Sequence, residues 1–149
     1  MRAVVQRVSK ASVAVDGKAR SKTGPGIVVL LGVERGDGPA DVEYMAEKIV
    51  NLRMFPDEND RMNLSVLQVK GEALVVSQFT LMADCQSGRR PSFTPAAPPA
   101  EAERLYEYFT GQLRDMGIPT QTGEFGADMD VSLVNDGPVT FWLDSSTAK

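Results

Sequence analysis

Apolar residues near the N-terminus recur with the spacing of β-strands. Residues 3–9 form a β-rich run. In the second run, residues 11–18, small side chains alternate with valine over residues 12–15 before the dipeptide Asp16-Gly17. Asp-Gly between two such runs is a strong signal for a tight hairpin turn. Residues 27–33, with the sequence IVVLLGV, are continuously apolar and of strand length, which is typical of a strand covered on both faces. The pattern therefore predicts a hairpin followed by a central, buried strand.

Two later segments carry the three- and four-residue spacing of helices. The first begins after Asp37-Gly38 with Pro39 in its first turn, and the second opens at Pro99. The residues predicted to face the core are Val42, Met45, Ile49 and Leu52 in the first segment, and Ala102, Leu105, Phe109, Leu113 and Met116 in the second. Gly117 stands just beyond the second segment, at the usual helix stop. Both helices are predicted to pack against a sheet.

The remaining β-rich runs indicate one α+β domain. They cover residues 73–79, 120–122, 129–134 and 139–143, and the sequence Asn135-Asp136-Gly137-Pro138 predicts a turn between the last two. Strands outnumber helices by about six to two and follow one another through hairpins rather than regular strand-helix alternation. We therefore predict a single domain over residues 1–149, with a mixed or antiparallel, curved, barrel-like β-sheet covered by two main helices. A doubly wound dinucleotide-binding fold is disfavoured.

The composition excludes several kinds of catalytic site. There is no histidine, so a Ser-His-Asp triad, a Cys-His pair, a His-ligated zinc and an imidazole general base are ruled out. The single cysteine, Cys85, excludes an intramolecular disulfide and fits a reducing compartment. We interpret it as an inert, packed thiol, because only Arg89 and Arg90 are near enough in sequence to lower its pKa. No carboxylate spacing suggests a metal site, and neither a metal nor a cofactor is expected.

Charge is distributed unevenly along the chain. Residues 1–22 hold six basic side chains and one acidic one, a local charge of +5, whereas the other 127 residues sum to −9 and the whole chain to −4. The basic face is either a solvated strand surface or a guide for a polyanion, and both interpretations stay open. Charges interrupt the apolar residues of the N-terminus, and no run approaches the roughly 20 apolar residues of a bilayer span. We expect a cytoplasmic protein without a membrane partner.

Polar side chains follow the strand predicted at residues 73–79. Ser77, Gln78 and Thr80 surround Phe79 where the chain leaves the sheet, and backbone N–H groups there become free to face a ligand. Such an arrangement suits an oxyanion, although Ser and Thr also commonly satisfy backbone groups in turns. A hydroxyl nucleophile would need a base, and no Ser-x-x-Lys motif lies in this region. Covalent catalysis is therefore disfavoured.

Three further segments could contact a ligand. Residues 88–93, with the sequence GRRPSF, place Arg89 and Arg90 beside an aromatic ring and could contact phosphates and stack on a base, or could be a charged surface loop. Phe125 lies between two nearby glycines, and it either stacks on a base or caps the core. The Gly137-Pro138 bond is expected to be trans, since only about 5–6% of X–Pro bonds in folded proteins are cis.

These segments together resemble those of a known family. The chain is closely similar to the D-aminoacyl-tRNA deacylases, also called D-tyrosyl-tRNA deacylases, in SQFTL (77–81), GRRPSF (88–93) and NDGPVT (135–140). The opening MRAVVQRVSKASVAVDG and the chain length are similar as well, so the resemblance spans the whole chain.

The resemblance implies a homodimer with active sites at the subunit interface, each receiving the 3′-terminal aminoacyl-adenosine of a tRNA. It implies hydrolysis of the ester to tRNA and a D-amino acid, with glycine wrongly attached to tRNA as a further substrate. The implied catalytic residues are Ser77, Gln78, Phe79 and Thr80, and the implied substrate-binding residues are Gly137, Pro138, Arg89, Arg90, Phe125 and Met129. In this family Thr80 is sometimes assigned as the nucleophile. The alternative is that the terminal 2′-hydroxyl of the RNA assists attack by water, and the missing histidine favours it.

The resemblance also implies that Gly137-Pro138 is cis and reaches into the neighbouring subunit's pocket. Its carbonyl groups would meet the substituents of the α-carbon and exclude an L side chain. A pocket that accepts many D side chains cannot grip the side chain, so it discriminates by clash with the wrong enantiomer. Since the chain is acidic, we expect few phosphate contacts, from Arg2, Arg7, Arg89 or Arg90.

Three other functions remain as alternatives. The chain could hydrolyse a small ester or amide, bind an RNA 3′ end or nucleotide without turnover, or act as a purely structural dimer. DNA is not an expected partner, because a net charge of −4 disfavours binding to a long polyanion.

Overall fold

The structure is a computed structural model that describes residues 1–148. The elements in chain order are β1 (Arg2–Val15), β2 (Lys18–Thr23), β3 (Gly26–Gly32), α1 (Pro39–Asn51), β4 (Phe55–Pro56), β5 (Met62–Leu64), β6 (Glu72–Ser77), a 3₁₀ helix (Phe79–Met82), α2 (Pro99–Asp115), β7 (Thr120–Thr122), β8 (Asp130–Asp144) and a second 3₁₀ helix (Ser145–Ala148). No helix within residues 1–148 has the length and apolar character needed to cross a membrane.

Six strands form one mixed sheet around β1. The strand order is β2-β1-β3-β6-β7, and β8 pairs with β1 as well. β1 is antiparallel to β2, β3 and β8, whereas β3, β6 and β7 are parallel. β1 is long enough for residues 2–8 to pair with β3 and residues 11–15 to pair with β2. The sheet curls until β2 contacts β6 and β7, which confirms the prediction of a mixed, curved sheet in a single domain.

The two faces of the sheet border two separate cores. Val5, Val29 and Val75 belong to the core beneath α1 and α2. Val28, Leu74 and Val76 belong to a second core enclosed by the curl. Alternate residues of β3 and β6 therefore enter different cores, and β3 is covered on both faces as its unbroken apolar run predicts.

The two helices begin as the sequence predicts but end one residue early, so Leu52 and Met116 follow α1 and α2 and are only partly buried against the core. Their buried side chains include Val42, Met45 and Ile49 in α1, and Ala102, Leu105, Phe109 and Leu113 in α2. Pro39 and Pro99 occupy the first turns. Gly117, with a φ of 94°, follows the end of α2 in the left-handed region that glycine adopts without steric cost.

The structure corrects the predicted strand boundaries. Residues 3–9 and 11–18 are not two strands, since β1 runs without a break to Val15, and Asp16-Gly17 makes the predicted turn with positive φ at both residues. The strand predicted at residues 73–79 ends at Ser77 and gives way to the 3₁₀ helix.

The predicted turn at Asn135-Asp136-Gly137-Pro138 is wrong, because these residues remain within β8. On β1, Val8 lies opposite Asn135 of β8 and Gln6 lies opposite Thr140. Residues 136–139 of β8 therefore face the single residue between Gln6 and Val8 and bulge outward. The Asn135 Nδ2 group donates to the carbonyl oxygens of Arg7 and Val139, at 2.9 and 3.0 Å. These bonds replace the missing ladder bonds and keep the strand direction.

Candidate active site

A pocket of about 610 Å³ opens where β6 leaves the sheet. The end of β6 and the residues that follow it form the floor of the pocket. Residues near the start of α2 line its β3 side, and the loop that leads to β8 lines its β7 side. The lining residues are Val33, Arg35, Val76, Ser77, Gln78, Phe79, Phe93, Ala96, Ala97, Pro98, Pro99, Ala102, Phe125, Gly126, Ala127, Asp128, Met129 and Val131. The pocket thus brings Ser77, Gln78, Phe79, Phe125 and Met129 together.

The backbone after β6 turns sharply at the pocket floor. Gln78 donates its backbone N–H to the Leu31 carbonyl of β3 at 2.8 Å, and the 3₁₀ helix starts at the next residue. No side chain of residues 1–148 caps this helix. The first N–H groups of a helix lack partners within it, and within residues 1–148 those of Phe79 and Thr80 donate no other backbone hydrogen bond, which leaves them able to meet an oxyanion.

Two contacts fix the position of this 3₁₀ helix. Gly32, the last residue of β3, lies so close that a Cβ placed on it would be 2.9 Å from the Gln78 carbonyl oxygen and 3.0 Å from the Leu81 Cβ. At the other end, the Arg2 guanidinium donates to the Leu81 carbonyl at 3.0 Å and pairs with Asp144 at 3.3 Å. The floor of the pocket is therefore held between β3 and the paired ends of β1 and β8.

The Thr80 side chain lies outside the pocket lining and is exposed. Its Oγ1 accepts a hydrogen bond of 2.5 Å from the Gln78 Nε2 group. Asp128 is the one carboxylate in the lining, and the described lining contains no lysine. Within residues 1–148 the Thr80 hydroxyl forms no hydrogen bond to a carboxylate or a lysine that would activate it.

Two phenylalanines form an aromatic edge at the mouth of the pocket. The rings of Phe79 and Phe93 meet edge to face, with centroids 5.1 Å apart and an interplanar angle of 62°. Phe79 is 54% exposed and Phe93 39% exposed, although both are large apolar residues. Exposed aromatic rings at a pocket mouth can stack on a base or meet a partner protein.

Phe125 and Met129 lie on the β7 side of the pocket. Phe125 packs against Tyr106, with ring centroids 5.9 Å apart, so it both lines the pocket and covers the core. Tyr106 donates its hydroxyl to the Val75 carbonyl at 2.9 Å. Burial raises the pKa of Tyr106 to about 12. A Cβ on Gly123 would lie 2.5 Å from the Met129 sulfur, so glycine there lets Met129 fold inward.

Arg89 and Arg90 do not reach the pocket in this chain. They lie on an exposed loop that is closed by reciprocal backbone hydrogen bonds between Asp84 and Ser92, at 2.8 and 2.9 Å. Neither guanidinium forms a hydrogen bond or ion pair within residues 1–148. Cys85 on the same loop is exposed, so its interpretation as a packed thiol is wrong.

Gly137 and Pro138 also lie away from the pocket of their own chain. They bulge opposite Arg7, whose partner on β3 is Ile27. Reaching Ser77 from there takes about 13 Å along the strands and about 14 Å across three strand spacings. Both residues are exposed, and the peptide bond between them is cis, so the expectation of a trans bond from general frequencies is wrong.

The charged residues near the pocket differ from those singled out in the sequence. Arg2 and Arg7, expected as phosphate contacts, are occupied internally, since Arg7 donates to the Asp136 and Met54 carbonyls at 2.9 and 2.7 Å. Arg35 and Asp128 are the charged residues in the lining, and sequence reasoning missed both. The signal for Arg35 was its position just after β3, because the carboxyl ends of parallel β3 and β6 meet at one edge. No group of three or more His, Cys, Asp or Glu residues within 1–148 could hold a metal ion.

Comparison with known proteins gives consistent results over the full chain. A family model described as D-Tyr-tRNA(Tyr) deacylase matches residues 4–144. The D-aminoacyl-tRNA deacylase of Geotalea uraniireducens is 60% identical over 149 residues, covering 100% of this chain and 96% of that protein. The protein of the same name from Ruegeria pomeroyi is 60% identical over 144 residues, covering 97% and 99%.

Two solved structures share the fold. One, named c-Myc DNA unwinding element binding protein, has a TM-score of 0.92 and 46% identity, covering 97% of this chain and 98% of that one. The other, a probable eukaryotic D-amino acid tRNA deacylase, has a TM-score of 0.79 over 95% and 97% of the two chains, and at 16% identity it supports the fold alone. The family model and the curated relatives show that this chain belongs to the D-aminoacyl-tRNA deacylase family.

Proposed function

We propose that this enzyme, a hydrolase of aminoacyl-tRNA ester bonds, binds the 3′-terminal D-aminoacyl-adenosine of a tRNA in the pocket at the end of β6. The observation that carries the assignment to this pocket is the meeting of Ser77, Gln78 and Phe79 with a cavity of about 610 Å³. Cavities of about 300–1,000 Å³ with mostly apolar walls and few polar groups are typical of small-ligand sites.

The reaction transfers the acyl group from the terminal ribose to water. Water adds to the ester carbonyl, the carbon–oxygen bond to the ribose then breaks, and the ribose oxygen leaves with a proton. The uncapped N–H groups of Phe79 and Thr80 supply donors for the oxyanion that forms. Loss of one such donor costs about 2.7–4 kcal/mol in transition-state energy.

The 2′-hydroxyl of the terminal ribose assists the attacking water. The exposed Thr80 hydroxyl accepts a hydrogen bond from Gln78 and lies outside the lining, which favours the RNA hydroxyl over a side-chain nucleophile. The chain contributes positioning and electrostatic stabilisation, without a cofactor or a metal.

The active form is a homodimer that brings the partner's bulge to each pocket. Trp142 on β8 is 59% exposed, and within residues 1–148 β8 pairs with no strand except β1. An exposed apolar residue beside an unpaired strand edge is typical of a protein interface. Gly137 and Pro138 are exposed on the same strand and far from their own pocket, so a second copy offers them a route to the substrate.

Gly137 and Pro138 of the partner subunit exclude L-aminoacyl esters. Their backbone occupies the space that an L side chain would take, while a D side chain points elsewhere. Glycine has no side chain to exclude, so glycyl-tRNA is a further substrate. Because an L side chain is rejected by steric clash with this backbone and no D side chain is specifically bound, the pocket accepts many D-amino acids.

The preferred partner is a tRNA end in the cytoplasm rather than DNA. A relative with a solved structure is named for binding a DNA unwinding element. The net charge of −4 disfavours an extended polyanion, whereas a single RNA end requires few phosphate contacts.

Hydrolysis of D-Tyr-tRNA compared with the methyl ester of D-tyrosine tests this function. We expect rapid turnover of the charged tRNA and little turnover of the methyl ester. Equal rates would assign a small-ester hydrolase, and tight binding of the charged tRNA without hydrolysis would assign a binding module.

A further inference from the structure

Arg35 is the cationic residue of the pocket, and three contacts fix its position. Its Nε group donates to the Thr94 carbonyl at 2.7 Å, and its backbone N–H donates to the Pro95 carbonyl at 2.9 Å. The preceding residue, Glu34, forms a β-bridge with Ala96. These contacts attach the chain after β3 to the segment that lines the β3 side of the pocket.

The outer part of the Arg35 guanidinium is available to a ligand. The side chain is exposed, and within residues 1–148 its two terminal nitrogens have no hydrogen-bond or ion-pair partner. A guanidinium has five N–H donors, so four remain once Nε is used. Their planar fork matches the oxygens of a phosphate better than an ammonium group does.

Arg35 and the aromatic Phe125 lie on opposite sides of the pocket floor. Arg35 follows β3, Phe125 follows β7, and β6 with Ser77 runs between these strands. Two strand spacings separate the two sides, which is about 10 Å. The other charged residue of the lining, Asp128, is on the β7 side, so the β3 side carries the positive charge.

We propose that Arg35 binds the phosphodiester group that joins the terminal adenosine to the preceding nucleotide of the tRNA. This inference rests on the proposed function, because it takes the substrate to be an aminoacyl-adenosine at an RNA end. The phosphodiester is the anion nearest to the scissile ester in such a substrate. Arg35 thereby assumes the phosphate contact that the internally bonded Arg2 and Arg7 do not make.

Two substrates, one with this phosphate and one without it, distinguish phosphate binding by Arg35 from a structural role of Arg35. The first is D-Tyr-tRNA, and the second is adenosine esterified with D-tyrosine at its 3′ oxygen, without any phosphate. We expect Arg35→Gln to lower kcat/KM on D-Tyr-tRNA by about 10- to 100-fold, mainly through KM, since hydrogen bonds to charged groups have that strength. Turnover of the phosphate-free ester should stay at the wild-type rate.

Two further variants serve as controls. Arg35→Lys keeps the charge without the fork and should recover part of the loss. Arg61→Gln removes an exposed charge between β4 and β5, outside the pocket lining, and should leave both substrates unaffected. The slope of log kcat/KM against log salt concentration should become shallower by about 0.7 in Arg35→Gln, as expected for one lost contact to single-stranded nucleic acid. Arg61→Gln should retain the wild-type slope.

An equal loss on both substrates would overturn the proposal and assign Arg35 a structural role, and no loss on D-Tyr-tRNA would also overturn it. If the wild type hydrolyses neither substrate, the proposed function fails, and calorimetry then tests Arg35 by itself. The probes are 3′-(D-tyrosylamido)-3′-deoxyadenosine with and without a 5′-phosphate. Tighter binding of the phosphate form that Arg35→Gln abolishes would support the site, and equal binding of both forms would overturn it.

Discussion

Replacing Gly32 with alanine tests whether the position of the 3₁₀ helix determines the rate. The added Cβ would lie 2.9 Å from the Gln78 carbonyl oxygen, 3.0 Å from the Leu81 Cβ and 3.1 Å from the Met82 Cε. The end of the Met82 side chain can move, but the first two atoms are in or next to the backbone. Ordinary carbon contacts are about 3.5–4.0 Å, so this turn must shift by roughly half an ångström.

The size of that shift sets the expected loss. A misplacement of about 1 Å costs roughly 100-fold in rate, so half of it corresponds to about tenfold in kcat. Overpacking of this kind also lowers the free energy of unfolding by about 1–3 kcal/mol. Gly32 does not have the positive φ that favours glycine, so the cause is steric and not backbone strain. The assay is single-turnover hydrolysis of saturating D-Tyr-tRNA, together with denaturant unfolding.

Gly111→Ala is the matched control for the same chemical change. Gly111 lies inside α2, and apart from its chain neighbours and the backbone of its own helix no atom of residues 1–148 is within 4 Å of a Cβ added to it. Alanine there should raise the free energy of unfolding by about 0.5–1 kcal/mol and leave kcat unchanged. A folded Gly32→Ala protein with the wild-type kcat would show that the position of this turn does not determine the rate.

Three further predictions concern the nucleophile, the buried tyrosine and the dimer. Thr80→Ala should retain measurable turnover, whereas an inactive variant that binds a non-hydrolysable analogue as tightly as the wild type would make the Thr80 hydroxyl the nucleophile. The pKa of Tyr106 is about 12 in the folded state, above the ordinary value of 10. The contribution of the neutral Tyr106 hydroxyl to the free energy of unfolding is therefore complete below pH 10 and is lost as the pH rises through 12. Between pH 10 and 12 the free energy of unfolding should therefore fall by on the order of 2–3 kcal/mol more in the wild type than in Tyr106→Phe. If the free energies of unfolding of the two proteins fell in parallel with pH, the loss would not come from ionisation of Tyr106. Trp142→Asp should shift sedimentation equilibrium from dimer to monomer, and an unchanged dimer would exclude this face from the interface.

Elements with one dominant periodicity were predictable from the sequence. The apolar run of β3 and the apolar stripes of the two helices, with Met45 in α1 and Phe109 in α2, determine both element type and burial. Asp16-Gly17 makes the predicted turn because the strands on either side of it pair antiparallel.

The bulge in β8 could not be predicted in this way. Asn, Asp, Gly and Pro are turn-forming residues, and the sequence does not show that the Asn135 side chain bonds to β1 and Val139 and preserves the strand. Local turn chemistry therefore predicted a change of direction where long-range pairing prevents one.

The candidate site was predictable only in part for a related reason. Ser77, Gln78 and Phe79 are contiguous, so they enter the pocket together wherever the strand ends. Arg35 joins them only because β3 and β6 are parallel neighbours, which is a feature of tertiary topology. Phe125 was singled out both by its position between two glycines and by the resemblance to a known family, and Met129 by the resemblance alone. Arg89 and Arg90 were singled out in the same two ways as Phe125, but they lie outside the pocket of their own chain.

Paired hydrolysis of D-Tyr-tRNA and L-Tyr-tRNA, with purified protein and a chelator present, most directly tests whether this pocket hydrolyses D-aminoacyl esters and excludes L-aminoacyl esters. We expect rapid loss of the D ester, persistence of the L ester, and no effect of the chelator. Hydrolysis of both esters at one rate would contradict selection by exclusion, and inertness toward both would contradict the proposed activity in this pocket.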